Sequence, residues 1–365
     1  MRRTQSAGRV CDRAARVWAA RERVIGIGHH RRFGGPHAEV DALKRCQELG
    51  NDPRGATAYV TLEPCNGHGK NPPCVMALVE AGIARVVCAA RDVTDGKGNG
   101  SAALRAIGIP CEFTDASRSA IDLSEPWRHR LKSRLPWVVA KWAQTIDGKL
   151  ATASGLSKWI SNDRSRVRVH RIRSAADAVM VGGGTVEFDD PTLTVRDVPC
   201  RKTGGDGAGR QPLRVVVTPH GKIAPGAKLV QTARTYPTLI VCDSKVELSG
   251  ERELAEAGVA FLKEPDAEQE GGGWLRRVLV RLRAEHGVHS LMVEGGAYLL
   301  GSLLHARLVN ELHVHTGPRL LSDGLLSPSI GGAGLSFASI DEAPKWRLLS
   351  VRRVGDDVQS VYRKD

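Results

Sequence analysis

His37-Ala38-Glu39, Glu63-Pro64-Cys65 and Pro72-Pro73-Cys74 decide how this chain is read, because together they carry the ligands and the base of a hydrolytic zinc site. Zinc that activates water takes three protein ligands and leaves a fourth position open to solvent. His37, Cys65 and Cys74 supply an imidazole and two thiolates, and Glu39, two residues past the first ligand, is placed to carry protons. The competing readings are a closed structural zinc site and two plain buried thiols. His68 is the residue that would close the site.

Around these residues the pattern alternates. Arg23 to Gly28 reads as a strand, Ala38 to Gln47 as a helix, Ala58 to Leu62 as a strand, Val75 to Ala81 as a helix ended by Gly82, and Ala84 to Ala89 as a third strand. Such alternation argues a three-layer α/β sandwich, with the metal ligands expected at helix N-termini, where the dipole favours a thiolate. Met1 to Arg23 is rich in Arg and Ala and has no apolar h-region. Val10, Ala14, Val17 and Trp18 suggest a short amphipathic helix there.

A polar stretch from Ser119 to Pro136, with Pro126 inside it, is expected to break the chain into two domains, 1–125 and 134–365. The pattern then restarts. Pro136 to Ala143 is a new strand, Asp177 to Val186 is a second apolar run, and Leu213 to Thr218, Thr238 to Cys242 and Ser290 to Glu294 are further strands. Gly295-Gly296 leads into an apolar helix from Ala297 to Leu304. Glycines at such a junction let backbone approach a phosphate at a helix N-terminus, though the same pair also makes an ordinary tight turn. Arg201 to Arg210 and Glu268 to Gly273 read as Gly-rich surface loops without a functional role.

Composition narrows the partners. With 41% hydrophobic residues in 365 the chain can build two cores, yet no apolar run approaches the roughly 18 residues a bilayer requires. Its eight Cys are scattered, which suits a reduced, cytoplasmic protein better than a disulfide scaffold. A formal charge of +13 would suit nucleic acid, but aromatics are only 4% and no nucleic-acid-binding pattern is present. The surplus is therefore read as serving a phosphorylated small molecule, with no specific nucleic acid and no membrane among the partners, and a homo-oligomer is expected.

The zinc stretch resembles that of nucleobase deaminases, in which the Glu shuttles protons and is not a ligand. Most of those carry Pro-Cys-x-x-Cys, whereas Cys65 and Cys74 stand nine positions apart (74 − 65), with Asn66 to Asn71 in the loop. The longer loop is similar to that of one group, the bifunctional deaminase–reductase family of riboflavin biosynthesis (RibD/RibG). The second half matches the same family at Lys141-x-Ala143-x-Thr145-x-Asp147-Gly148-Lys149, Ser157-x-Trp159-Ile160, Gly184-Thr185-x-x-x-Asp189-Asp190-Pro191-x-Leu193-Thr194-Val195-Arg196 and Glu294-Gly295-Gly296.

That resemblance implies a cytidine-deaminase-like αβα sandwich followed by a dihydrofolate-reductase-like α/β domain. It implies Zn2+ on His37, Cys65 and Cys74 with Glu39 catalytic, and NADPH on Ala143, Trp159, Thr185, Asp189 and the run Gly296, Ala297, Tyr298, Leu299, Leu300, Gly301, Ser302. Ser157, Arg173, Leu193, Arg196 and Glu294 would hold the substrate, and Asp147 and Lys149 would line the same site. For Arg173 the bare sequence also allows an exposed helix charge. The implied reactions are deamination of 2,5-diamino-6-(5-phosphoribosylamino)pyrimidin-4(3H)-one to the aminouracil, then NADPH reduction of its ribosyl group to ribityl. A reductase with a vestigial deaminase half is the alternative. The family's Asn-Pro-x-Val-Gly element is missing before Arg23, and Asn66-Gly67 replaces its Ser-His. A central strand of the first sheet is accordingly expected to be absent or replaced.

Overall fold

Ala14–Trp18 form a strand, β1, where the sequence suggested a helix. A segment of this length cannot sustain helical hydrogen bonds alone, whereas a place between two other strands satisfies its backbone on both sides. β1 runs antiparallel to β2 (Val24–His29) and to β3 (Thr57–Val60), so the central strand expected to be missing is supplied from this stretch. The computed structural model describes residues 14–18, 23–30, 34–94, 98–114, 118–200, 209–267, 272–322, 329–331 and 339–364. Val10 and most of the Arg201–Arg210 and Glu268–Gly273 stretches lie outside them.

The chain divides into units of residues 1–133 and 134–365. The first continues through α1 (Ala38–Glu48), α2 (Cys74–Glu80), β4 (Arg85–Cys88), α3 (Gly100–Ala106), β5 (Cys111–Phe113) and α4 (Arg118–Lys132). Its sheet has the order β2-β1-β3-β4-β5, with β3, β4 and β5 parallel. The polar stretch expected to be a break is largely the helix α4, Pro126 included. Gly26 and Gly28 let α1 lie directly on β2. A Cβ at Gly28 would stand 2.1 Å from Ala42 N and 2.2 Å from Ala38 O.

The second unit comprises β6 (Trp137–Gln144), α5 (Asp163–Ala175), β7 (Ala178–Gly182), α6 (Gly183–Asp189), β8 (Leu213–Val217), α7 (Lys228–Gln231), β9 (Thr238–Asp243) and α8 (Glu251–Glu256). β10 (Val259–Glu264), α9 (Gly272–His286), β11 (Ser290–Glu294), α10 (Ala297–His305), β12 (Glu311–Thr316), β13 (Trp346–Val354) and β14 (Asp357–Lys364) complete it. The sheet order is β10-β9-β8-β7-β11-β6-β12-β14-β13; its strands are parallel as far as β12, and β14 and β13 are antiparallel. Alternate residues enter different cores: Ala178 and Met180 join Leu279 and Leu300, while Val179 and Val181 join Val169 and Leu229. Burial on both faces explains why this strand reads as an unbroken apolar run. Because β11 is inserted between β6 and β7, consecutive strands part there, and the crevice at their carboxyl ends is where such sheets bind ligands.

The close β2–α1 contact yields a test. Gly28→Ala should destabilise the first unit by on the order of 1–3 kcal/mol or more, since backbone rather than a flexible side chain must give way. Urea unfolding that is unchanged by this substitution would show that the approach is not tight.

Candidate functional site

The first constellation forms where strand ends meet helix starts. His37 is the N-cap of α1 and Cys74 the first residue of α2, whereas Cys65 lies in the irregular segment between β3 and α2. Two of the three ligands thus sit at helix N-termini as expected, and Cys65 does not. His37 Nδ1 is 3.2 Å from Cys74 Sγ and 3.4 Å from Cys65 Sγ, and the ligand atoms all lie within 4.8 Å of one another. Tetrahedral zinc with bonds of about 2.3 Å to sulfur and about 2.0 Å to nitrogen would part N and S by roughly 3.6 Å, so the donor set and its spacing fit that ion. His68 does not join the cluster.

The two thiols differ in how readily each ionises. Hydrogen bonding with Cys74 pulls Cys65 below the ordinary thiol range, while the same contact, with burial and nearby Glu39, pushes Cys74 up. A divalent cation reverses that resistance, because thiolate is the liganding form. Glu39 is buried at the start of α1, and a cleft lined by His37, Glu39, Leu62 and Cys65 opens onto the cluster. The segment leading to Cys65 is fixed by Glu63, a buried carboxylate that accepts from Ser101 Oγ at 2.6 Å, Ser101 N at 3.0 Å and Asp92 N at 3.1 Å. Sequence reasoning quoted Glu63 without giving it this part. His30, whose ring stands edge-on to His37 at 5.4 Å, was missed altogether.

The second constellation occupies the carboxyl ends of β6, β7 and β11. Glu294 ends β11, and Gly295 and Gly296 follow at φ +59° and +79°, a backbone only glycine adopts freely. A Cβ at Gly296 would stand 3.0 Å from Thr185 Oγ1, which places Thr185 of α6 against the turn. The Leu299 and Leu300 side chains belong to the core and Gly301 is buried beside them, whereas Tyr298 and Ser302 are exposed on the same helix. Ala143 is half-buried near the end of β6. Trp159 is 59% exposed with Arg166 over its ring at 4.3 Å, and so is not a core residue. Ser157 Oγ donates to Asp189 at 3.1 Å.

Arg173 differs most from expectation. It is not an exposed helix charge but buried and paired: Nε and Nη2 donate to the two oxygens of Glu294 at 2.7 and 2.9 Å, and Nη1 donates to the Thr194 carbonyl at 2.5 Å. Burial would raise the Glu294 carboxyl, but Arg173 and Lys141 together hold it below its ordinary value. Lys141 stands opposite Glu294 in the β6–β11 register, and burial pushes its ammonium down. Leu193 is buried, whereas Arg196 is exposed and donates to the hydroxyls of Thr192 and Thr194. Asp147 is held to about 2, chiefly by the Thr145 hydroxyl and then by the Ser322 and Leu321 amides, so it fixes a turn.

Residues 136–360 match the model of the RibD C-terminal domain, and residues 5–90 that of the cytidine and deoxycytidylate deaminase zinc-binding region. The riboflavin biosynthesis protein RibD of Aquifex aeolicus is 37% identical over 343 residues, covering 94% of this chain and 89% of that protein. The Escherichia coli protein of the same name is 34% identical, covering 92% and 88%. Among solved structures, the Thermotoga maritima diaminohydroxyphosphoribosylaminopyrimidine deaminase/5-amino-6-(5-phosphoribosylamino)uracil reductase superposes with a TM-score of 0.72 at 29% identity, covering 97% of this chain and 92% of that one.

The buried ion pair predicts a pH signature. Arg173→Met should cost roughly 3–5 kcal/mol at neutral pH, because it leaves Glu294 buried without its main partner. The folded Glu294 carboxyl lies below its unfolded value, so the pair's stabilisation is full above the ordinary carboxylate range and is lost as pH falls through the depressed value. The difference between wild type and variant should therefore shrink toward acid, and adding Glu294→Gln should recover part of it. A deficit independent of pH in urea titrations would refute this account.

Proposed function

We infer the reaction from one premise: the chain belongs to the RibD family, the bifunctional deaminase–reductases of riboflavin biosynthesis. It is an enzyme with two activities, a zinc-dependent deaminase and an NADPH-dependent reductase. Its deaminase substrate is proposed to be 2,5-diamino-6-(5-phosphoribosylamino)pyrimidin-4(3H)-one and its product 5-amino-6-(5-phosphoribosylamino)uracil, whose ribosyl group the second unit reduces to ribityl. The observation that carries the first half of this reading is the His37, Cys65 and Cys74 cluster beside buried Glu39.

His37, Cys65 and Cys74 would hold the zinc, which supplies Lewis-acid activation of water near neutral pH. Glu39 takes a proton from the attacking water and returns it to the amino group, which leaves as ammonia. Glu63 keeps the Cys65 segment in place through its bonds from Ser101 and Asp92. In the second unit NADPH, when bound, would supply the hydride that reduces C1′ of the ribose, whose C1′–O4′ bond opens with a proton taken up at O4′ to leave the ribityl chain. Gly296 and the start of α10, with Thr185 and Asp189, would hold that cofactor; Glu294, oriented by Arg173, would meet the base, and Ser157 and Arg196 the phosphate. Residues 1–125 are proposed as the deaminase domain and 134–365 as the reductase domain. A homo-oligomer in the cytoplasm is proposed as well; the edge strand β13 exposes Leu348 and Val351, which supports self-association. Among the described residues no helix is long and apolar enough to cross a membrane.

Glu39→Gln should retain about one zinc per chain yet release no ammonia from the diamino substrate, while still oxidising NADPH with the aminouracil. Near wild-type ammonia release would overturn the role of Glu39. Zinc retention with no ammonia release by the wild-type chain itself would favour the vestigial deaminase. A fragment beginning at Arg134 should fold and oxidise NADPH with the aminouracil ribosyl phosphate; a folded fragment that binds no NADPH would count against the reductase domain.

A further inference from the structure

The segment after α6 hangs on side chains from elsewhere in the unit. Arg214 Nη1 donates to Thr192 O at 3.2 Å, and Arg173 Nη1 to Thr194 O at 2.5 Å. Gln211 brackets Val195, accepting from its N–H at 2.7 Å and donating to its carbonyl at 3.1 Å. Arg196 N–H donates to His170 Nδ1 at 3.1 Å. Leu193 and Asp197 adopt φ +53° and +62°, a backbone non-glycine residues keep only where surroundings determine it.

Of these contacts only His170 takes hold of Arg196 through its backbone. A backbone N–H can only donate, so Nδ1 must be the unprotonated ring nitrogen. Burial first, then Arg173 and Arg196, push this imidazole down to about 4 against the opposing pull of Glu294 and Asp197, which leaves Nδ1 an acceptor at neutral pH. An apolar side chain would fill the same buried volume without accepting.

We propose that His170 is a positioning residue for the reduction, fixing the Arg196 backbone so that its guanidinium meets the phosphate of the substrate. The inference rests on the reading of Arg196 as a phosphate ligand. Arg196 suits that part because its side-chain hydrogen bonds go to the neutral hydroxyls of Thr192 and Thr194 and, among the described residues, it forms no ion pair with a carboxylate. His170 touches neither sugar nor cofactor in this scheme and acts through Arg196 alone.

The test is KM and kcat for NADPH oxidation with 5-amino-6-(5-phosphoribosylamino)uracil and with its dephosphorylated form, in wild type, His170→Phe, His170→Gln and Arg196→Ala. His170→Phe keeps a ring without an acceptor and should raise KM for the phosphorylated substrate roughly fivefold to twentyfold, the worth of one lost hydrogen bond, with kcat little changed. KM for the dephosphorylated substrate should not move, and His170→Gln, whose amide oxygen can accept the same N–H, should restore most of the loss. Wild-type behaviour of His170→Phe, or equal losses on both substrates, overturns the proposal. If His170→Phe does not fold, His170→Leu makes the same comparison with less bulk. Arg196→Ala separates the two levels: if it fails to distinguish the substrates, the phosphate reading falls, whereas discrimination by Arg196→Ala with none by either apolar His170 variant rejects His170 alone.

Discussion

A carboxylate taken out of water must be met by a partner of opposite charge or by several donors, and Glu294 sets the arrangement of the reductase unit by this requirement. It ends a strand whose preceding three residues, Leu291, Met292 and Val293, are apolar and buried, and it ties that strand to α5 through Nε and Nη2 of Arg173. The remaining Arg173 nitrogen reaches the Thr194 carbonyl, so one side chain joins β11, α5 and the segment that carries Arg196. The base and phosphate contacts proposed for Glu294 and Arg196 would thereby be referred to a single pair rather than to independent loops.

The first unit meets the same requirement without a cation. Glu63 is satisfied by two backbone N–H groups and a hydroxyl, and the donors come from segments well apart in the chain. Its position two residues before Cys65 means that satisfying the carboxylate also fixes the only ligand outside a helix start. His37 and Cys74 need less help, since α1 and α2 already determine their backbones. In both units a buried carboxylate therefore places a loop residue that secondary structure alone would leave undetermined.

This division explains what was legible in the sequence. The alternating pattern carried the strands around the metal ligands, and the unbroken apolar runs of β7 and β11 carried the doubly covered sheet, because both signals are local in the chain. β1 was misread because its partners β2 and β3 lie elsewhere and its own residues do not announce them. α4 was read as a break because Pro126 and dense charge look like a linker. His37, Glu39, Cys65 and Cys74 were visible as a motif, but the roles of Glu63, His170 and Gln211 depend on contacts across 38, 26 and 16 positions, for which spacing gives no clue.

Arg173 and Arg196 show how far residue type alone can go. The resemblance assigns both to the substrate, and in sequence nothing separates a phosphate ligand from a structural cation. Burial and pairing do. Arg173 lies beneath the surface with its charge matched by Glu294, so adding a phosphate there would require taking donors from a carboxylate that burial makes expensive to abandon. Arg196 stands at the surface and, among the described residues, bonds only to hydroxyls, which a dianionic phosphate would outcompete because charge-assisted hydrogen bonds are roughly twice as strong as neutral ones. The same reasoning limits what the net charge of +13 means, since Arg173 and Arg363 are matched to buried carboxylates and Arg214 is spent on carbonyls and hydroxyls of its own unit. A phosphate would be drawn not by the count of cations but by those, such as Arg196 among the described residues, that are hydrogen-bonded to hydroxyls rather than paired with a carboxylate.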